Sequence, residues 1–326
     1  MKIVFMGTPE FAVPSLDAVL GVAEVAAVVT RPDKPRGRGL RVMPPPIAVA
    51  ATEYALDLLQ PATLRDPEIL RHLRSLGPDL IVVVAFGRII PAELLAVPPL
   101  GGVNLHPSLL PRYRGAAPIA RAIAAGDTET GVTVLHVSEE LDAGDIILQR
   151  AMPIPPEDTT ASLEPRLAQE GGALLAEAVQ LLEAGRAPRR PQDPAQVTFA
   201  PKLTTEEAAI RWSDPAPTIV NLVRALNPWP IAYALRDGAP LKIWRAAALE
   251  SHAPALPQAA PGTVLAAGPD AFVVAAGAGA VKVLEVQAAS GRRMAAADYL
   301  RGHPLAPGTV LGPAPDQRPQ RARDTA

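Results

Sequence analysis

The stretch DPEILRHLRSLGPDLIVVVA, residues 66–85, runs from one complete element into the next. Asp66 is an N-cap residue type, Pro67 suits the first helical position and Gly77 supplies a stop, so 66–77 reads as a helix. DLIVVVA (79–85) follows with the unbroken apolar character of a strand covered on both faces. A helix feeding such a strand is half of a βαβ unit, and the alternation continues to either side. Upstream, KIVFM (2–6) and AEVAAVVT (23–30) read as strands. Between them EFAVPSLDAVL has apolar residues at helical spacing, with Pro14 limiting where that helix begins. Downstream, GGVNLH (101–106) is a further strand, and TGVTVLHV and DIILQRAMPI form a pair leading into a long helix at 160–185. The pattern is α/β: a mainly parallel, doubly wound (Rossmann-like) sheet with helices on both faces.

With 326 residues the chain is long enough for two domains. The signals change after GRAPRRPQDPAQVTFAPK (185–202), which is rich in proline and basic groups and too poor in apolar residues for a core of its own. We expect a catalytic domain over 1–188, a linker over 189–204, a second domain over 205–314 and a tail over 315–326. The second domain opens with a short helix, TIVNLVRALN (218–227), followed by short β runs broken at 237–238, 268–270 and 277–279. That is the signature of a small β-barrel or sandwich. APGTVL occurs at 260–265 and again at 306–311, which reads as two similar turns entering strands rather than a repeated domain.

Hydrophobic residues make up 48% of the chain and charged residues 20%, the balance of a soluble globular protein. There are no cysteines, which excludes disulfides and thiolate metal sites. The N-terminal run is interrupted by Gly7, Pro9 and Glu10 and makes a poor signal peptide. LIVVVAF (80–86) is far too short to span a bilayer, so a cytoplasmic location and no membrane partner are expected. A net charge of -2 argues against a surface that binds nucleic acid indiscriminately. One basic patch stands out, RPDKPRGRGLR (31–41), with Arg31, Lys34, Arg36, Arg38 and Arg41 against Asp33 alone.

In a doubly wound sheet, ligands sit outside the carboxyl ends of the strands. Asn104 and His106 stand at such an end, and residues two apart on a strand face the same way, so both side chains can converge on one ligand atom. GVTVLHVSEELDAGD (131–145) then runs from a strand into a turn carrying Glu139, Glu140, Asp142 and Asp145. A carboxylate from this turn brought to His106 would fix its tautomer and stabilise its protonated form. Asp142 is the best candidate, although spacing alone does not choose it over Asp145. His136, inside a strand, reads as packed or solvent-facing rather than as a ligand.

NLHPSLLPRYRG (104–115) together with GVTVLHVSEELDAGD resembles the 10-formyltetrahydrofolate-dependent formyltransferase family. The resemblance implies that Asn104, His106 and Asp142 are catalytic. It implies that Ser108, Leu109, Leu110 and Pro111 line the folate site, and that AFGRII (85–90) supplies backbone to the pterin through Phe86, Gly87, Arg88 and Ile89. MGTPEFAVPSL, the RPDKPRGRG segment, KLTTEEAAIRWS (202–213) and NPWP (227–230) are similar to the branch of that family whose acceptor is initiator methionyl-tRNA. That similarity covers nearly the whole chain. It implies an OB-like C-terminal barrel that helps hold tRNA, a role for Arg38 at the acceptor end and phosphate contacts from Arg36 and Arg41. Where a lysine pair is frequent in the family, Leu40 and Arg41 stand here. 10-Formyltetrahydrofolate is then the formyl donor, no metal is required, and a monomer is expected.

Three other readings fit less of the chain. Formyltransferases acting on glycinamide ribonucleotide or an amino sugar share the Asn, His and Asp set but do not need the basic segment or this C-terminal domain. GTPEFA after the first strand lacks the GxGxxG spacing of a nicotinamide-dependent dehydrogenase. A noncatalytic RNA-binding module leaves Asn104, His106 and Asp142 unused. The roles of Arg112 and Arg114, at a substrate or as loop anchors, stay open.

Overall fold

The long apolar runs become the buried strands of a seven-stranded sheet. The computed structural model describes residues 1–36, 41–249 and 259–312. The strands are β1 (Lys2–Gly7), β2 (Glu24–Val29), β3 (Leu58–Leu59), β4 (Leu80–Val84), β5 (Gly102–His106), β6 (Glu129–His136) and β7 (Ile146–Pro153). Their order across the sheet is β7-β6-β5-β4-β1-β2-β3. β3, β2, β1, β4 and β5 run parallel, while β6 is antiparallel to β5 and β7 to β6. The chain leaves β1 toward β2 on one side and returns to β4 on the other, so the switch point of this doubly wound sheet lies between β1 and β4.

The stretch at 66–85 folds as its residues dictate. Helix Pro67–Ser75 starts at Asp66, whose carboxylate accepts the Glu68 N–H at 2.9 Å, and it buries Leu73 against Val4, Met6, Ile81 and Val83. All five residues of β4 are buried, as expected of a central parallel strand. The opposite face of the sheet presents Phe5, Val82, Val84 and Leu105, each at most 2% exposed. Helix Thr160–Glu183 comes close to this part of the unit at two glycines. A Cβ on Gly171 would lie 2.7 Å from the Leu105 side chain, and one on Gly172 would lie 2.7 Å from the Pro14 carbonyl oxygen. Leu105 sits between Asn104 and His106 on β5, so this packing sets the height of the strand end that carries both.

By chain contacts the molecule divides into two compact units, one comprising 1–118, 129–153 and 162–201, the other 119–128, 154–161 and 202 onward. The proline-rich segment at 185–201 therefore groups with the first unit. Arg190 and Ile146 exchange backbone hydrogen bonds, and Phe199–Ala200 pairs in parallel with Arg114–Gly115.

The second unit is built around an antiparallel sheet of β8 (Tyr233–Arg236), β9 (Ala239–Leu249), β10 (Val264–Ala267), β11 (Phe272–Ala275) and β12 (Ala280–Ala288), in the order β8-β9-β12-β11-β10. Residues 310–312 meet both edges, through the Thr263↔Val310 and Leu235↔Gly312 bridges, and so close the sheet into an OB-like barrel. The two APGTVL segments explain one another here: each is a turn, and they lie antiparallel, with the Val264 N–H donating to the Thr309 carbonyl at 2.7 Å. Trp212, Ile219, Val223, Ile243, Phe272 and Val283 are among the residues of the barrel's core.

Gly172→Val places a branched side chain against backbone that has no room to yield. We expect a loss of about 1–3 kcal/mol in unfolding free energy by urea denaturation, outweighing the gain of up to about 1 kcal/mol from replacing glycine within a helix.

Candidate active site

At the carboxyl end of β5, Asn104 and His106 point to the same side, as strand alternation requires. Asp142 joins them from the turn between β6 and β7. Its Oδ2 lies 3.5 Å from His106 Nδ1, and its Oδ1 accepts from Asn104 Nδ2 at 3.4 Å. Oδ2 also accepts the Gly115 N–H at 2.9 Å. The side chains of His106 and Asp142 are only 4% and 9% exposed, so these contacts act in a medium of low dielectric. Asp145, the other carboxylate left open by the sequence, instead lies 3.7 Å from Arg189.

The second ring nitrogen of His106 settles its tautomer. Nε2 donates to the Tyr113 carbonyl at 2.9 Å, and a carbonyl only accepts. In the neutral ring the proton is therefore on Nε2, and Nδ1 is a free base facing Asp142. Burial holds the His106 pKa below the usual histidine value, while the Asp142 charge and the Tyr113 carbonyl oppose that shift without cancelling it. A proton arriving at Nδ1 would meet a carboxylate already in place.

Local backbone geometry supports the cluster. Among the described residues, Ala85, Tyr113 and Asp142 have φ of 46°, 63° and 53°. The left-handed region costs a non-glycine residue about 1–2 kcal/mol, less for aspartate, and such strain concentrates where function requires a particular side-chain direction. The LDAGD turn needs its glycine, because a Cβ on Gly144 would overlap the His136 carbonyl oxygen. His136 itself is buried, its Nε2 has no hydrogen-bond partner, and burial and Arg189 lower its pKa against the opposing charge of Asp145.

The SLLP segment beside the cluster is tightly held. Ser108 is fully buried and donates from Oγ to the Arg112 carbonyl at 2.7 Å, while its own carbonyl accepts from Thr133 Oγ1 at 2.6 Å. Leu110 is buried, and its carbonyl accepts from Gln149 Nε2 at 2.8 Å. Leu109 and Pro111 are half-buried, leaving them as the apolar surface of the segment. At the end of β4 the Phe86 ring lies in the core, and its carbonyl accepts from Thr8 Oγ1 at 3.2 Å and from Arg31 Nε at 3.1 Å. Arg31 also donates to the Gly87 carbonyl. Arg88 donates to the Pro61 carbonyl at 2.9 Å, and Ile89 is 93% exposed.

Two sequence readings change here. Arg31, counted with the basic patch, is turned onto the 86–87 backbone, so it braces the loop at the switch point. Arg114, left open between substrate and anchor, is an anchor: it is buried, with Nη1 donating to Glu140 Oε1 at 3.1 Å and Nε and Nη2 donating to Gln192 Oε1 at 3.1 and 2.9 Å. Gln192 is a site-supporting residue that sequence reasoning missed, because it lies in a segment whose composition resembles a spacer. Lys34–Arg36 and Arg41–Met43 form a short antiparallel pair. Arg38 lies outside the described residues, as do the side chains of Arg36 and Arg41. Among the described residues no group of three or more His, Asp or Glu side chains is placed to hold a metal ion, and no helix is long and apolar enough to cross a membrane.

A doubly wound sheet with an amide, a buried imidazole and a carboxylate converging beyond a strand end defines an α/β enzyme equipped for proton transfer and for stabilising a developing anion. Residues 1–179 match the formyl transferase family model, and residues 202–304 match that of the formyl transferase C-terminal domain. The chain belongs to the formyl transferase family. It is 51% identical over 313 residues to the methionyl-tRNA formyltransferase of Moorella thermoacetica, covering 96% of this chain and 99% of that protein. The protein of the same name from Syntrophus aciditrophicus is 48% identical over 96% of this chain and 99% of its own length. Among solved structures, the fold is similar to an N-formyltransferase from Helicobacter canadensis in complex with folinic acid and dTDP-3-aminofucose. That match has a TM-score of 0.66 at 18% identity and covers 87% of this chain and 98% of the other. HypX from Aquifex aeolicus in complex with tetrahydrofolic acid matches with a TM-score of 0.59 at 22% identity, over 92% of this chain and 47% of that one.

His106 and His136 both have native pKa values below the unfolded value of 6.5. Between that value and the lowered native one, the unfolded chain binds more protons than the folded chain. Their contribution to stability is therefore complete above pH 6.5 and is lost as the pH falls below it, by at most about 1.4 kcal/mol per pH unit for each group. Urea midpoints from pH 7.5 to 5.5 should fall less steeply in His136→Gln than in wild type, and an equal slope would refute the buried neutral imidazole.

Proposed function

We propose that the chain transfers the formyl group of 10-formyltetrahydrofolate to the α-amino group of methionyl-tRNA, with initiator tRNA as the acceptor in translation initiation. The observation that carries this reading is the meeting of Asn104, His106 and Asp142 within 3.5 Å in a member of the formyl transferase family. The near full-length likeness to methionyl-tRNA formyltransferases selects the acceptor. Along with it go a cytoplasmic location, a monomer, and a division of labour in which 1–188 carries the chemistry, 189–204 connects, 205–314 helps hold tRNA and 315–326 is a tail.

The donor supplies an activated formyl carbon next to a nitrogen leaving group. The residues present suit that chemistry: an amide N–H, a basic ring nitrogen and a carboxylate meet at one strand end, beside the half-buried Leu109 and Pro111 and the exposed residues Gly87 and Ile89. We assign the folate site to Phe86, Gly87, Arg88 and Ile89 and to Ser108–Pro111. The 86–89 stretch contributes mainly backbone, Leu109 and Pro111 contribute apolar surface, and the buried Ser108 and Leu110 hold the shape.

In this reading Asn104 donates its amide N–H to the charge that builds on the formyl oxygen. His106 Nδ1 takes the proton released by the attacking amine, and the imidazolium so formed rests between the Tyr113 carbonyl and Asp142. Asp142 stabilises that cation, takes the proton from Nδ1 as the bond between the formyl carbon and the folate nitrogen breaks, and delivers it to the departing nitrogen, so that His106 and Asp142 end as they began. Because His106 acts as the neutral base, turnover should fall as the pH drops through its lowered native pKa. Arg38 would engage the acceptor end of tRNA, with Arg36 and Arg41 at its phosphates.

The direct test incubates the protein with 10-formyltetrahydrofolate and charged initiator tRNA and measures formylmethionyl-tRNA. Turnover of a small amine or amino sugar with none of tRNA would sink the proposed acceptor. His106→Ala and Asp142→Asn should each lower kcat by about 10²–10⁴-fold while tRNA binding is retained. Arg38→Ala should chiefly raise the KM for tRNA.

A further inference from the structure

Asp142 has two sets of contacts, one to its side chain and one to its backbone, and the second belongs to a single residue. Gln192 Nε2 donates to the Asp142 carbonyl at 2.8 Å and to the Gly144 carbonyl at 2.9 Å. The Oε1 of the same amide accepts both Arg114 contacts, and Arg114 in turn donates to Glu140. One primary amide thus uses its donor end to clamp the turn that presents Asp142 and its acceptor end to dock on a buried guanidinium. The clamped turn needs holding. Asp142 has φ 53°, Leu141 beside it is 68% exposed, and Glu139 and Glu140 are exposed too, so little apolar packing fixes the turn from the solvent side.

We infer that Gln192 is a positioning residue for formyl transfer, holding the 140–144 turn so that the Asp142 carboxylate stays against His106 and Asn104. Gln192 makes no hydrogen bond to any of the three side chains and acts through the backbone that carries one of them. The two ends of the amide do different work, and only an amide does both. A carboxylate at 192 keeps the acceptor for Arg114 but has no N–H for the carbonyls of Asp142 and Gly144. The inference rests on the formyl-transfer reading for its kinetic consequence, but not for its structural one.

The experiment compares wild type with Gln192→Glu, Gln192→Ala and Gln192→Asn in formyl transfer to methionyl-tRNA, and follows the His106 ring by NMR pH titration of histidine-labelled protein. Small displacements of a reacting group cost up to about 10²-fold in rate, so kcat should fall by about 10–10²-fold in Gln192→Glu and Gln192→Ala, with KM for both substrates little changed. A general loosening of the fold would instead raise KM or lower the thermal midpoint in step with activity. Because Gln192→Glu retains the Arg114 pairing, it guards against a Gln192→Ala protein that fails to fold. Gln192→Asn, an amide with shorter reach, should recover part of the loss.

In Gln192→Ala the His106 titration should move further below the usual histidine value, since the charge that opposes the burial effect is no longer held nearby. Gln192→Glu with wild-type kcat, or an unmoved His106 titration in folded Gln192→Ala, would overturn the inference. The titration needs no substrate. If it shifts as expected while the wild-type protein formylates no tRNA, the functional reading fails and the positioning role stands.

Discussion

Everything at the candidate site depends on one buried carboxylate. Asp142 brings a negative charge to a position where its side chain is only 9% exposed, and a charge so placed is costly unless each oxygen has a partner. Asn104 meets one oxygen, while Gly115 N–H and His106 meet the other. The imidazole is bound by the same condition from the other side, since burial keeps it neutral and the Tyr113 carbonyl fixes where its proton sits. A pair poised in this way holds a base ready and a counter-charge beside it. Neither group could do this alone at the protein surface, where water would screen the interaction.

The architecture serves to bring four distant chain segments to that carboxylate. β5 delivers Asn104 and His106, the turn after β6 delivers Asp142, the short pairing after SLLP delivers Gly115, and the segment following the long helix delivers Gln192. Helix Thr160–Glu183 sets the depth of β5 through Gly171, at a cost in helix propensity that close approach to Leu105 offsets. Arg31 shows the same economy: a residue with the composition of a polyanion contact instead ties the loop after β4 to the switch point.

Helix Pro67–Ser75 and strand β4 could be read directly because capping and β-branched burial are local properties. The Asn104–His106 pair was legible too, since alternation on a strand fixes their common direction. That β6 and β7 form a pair was legible as well, and the β character of the second unit followed from turn spacing, whereas the antiparallel sense of the β6–β7 pair came from the structure. At 185–201 the density of proline and arginine marks a connecting segment, and the structure adds that this segment pairs Phe199–Ala200 with Arg114–Gly115 and carries Gln192. Its contacts are polar and long-range, so no periodicity marks them.

The main strands and helices, the residue types at the strand end and the family to which those motifs point could all be read from the chain's local pattern. That is so because propensity, alternation and turn chemistry act over a few neighbouring residues. Long-range packing brought Asp142 rather than Asp145 to His106, turned Arg31 and Arg114 inward, and joined Gln192 to the turn it clamps. Those outcomes depend on which atoms lose water together, and that is settled by contacts between residues as far apart as Arg114 and Gln192 in the chain.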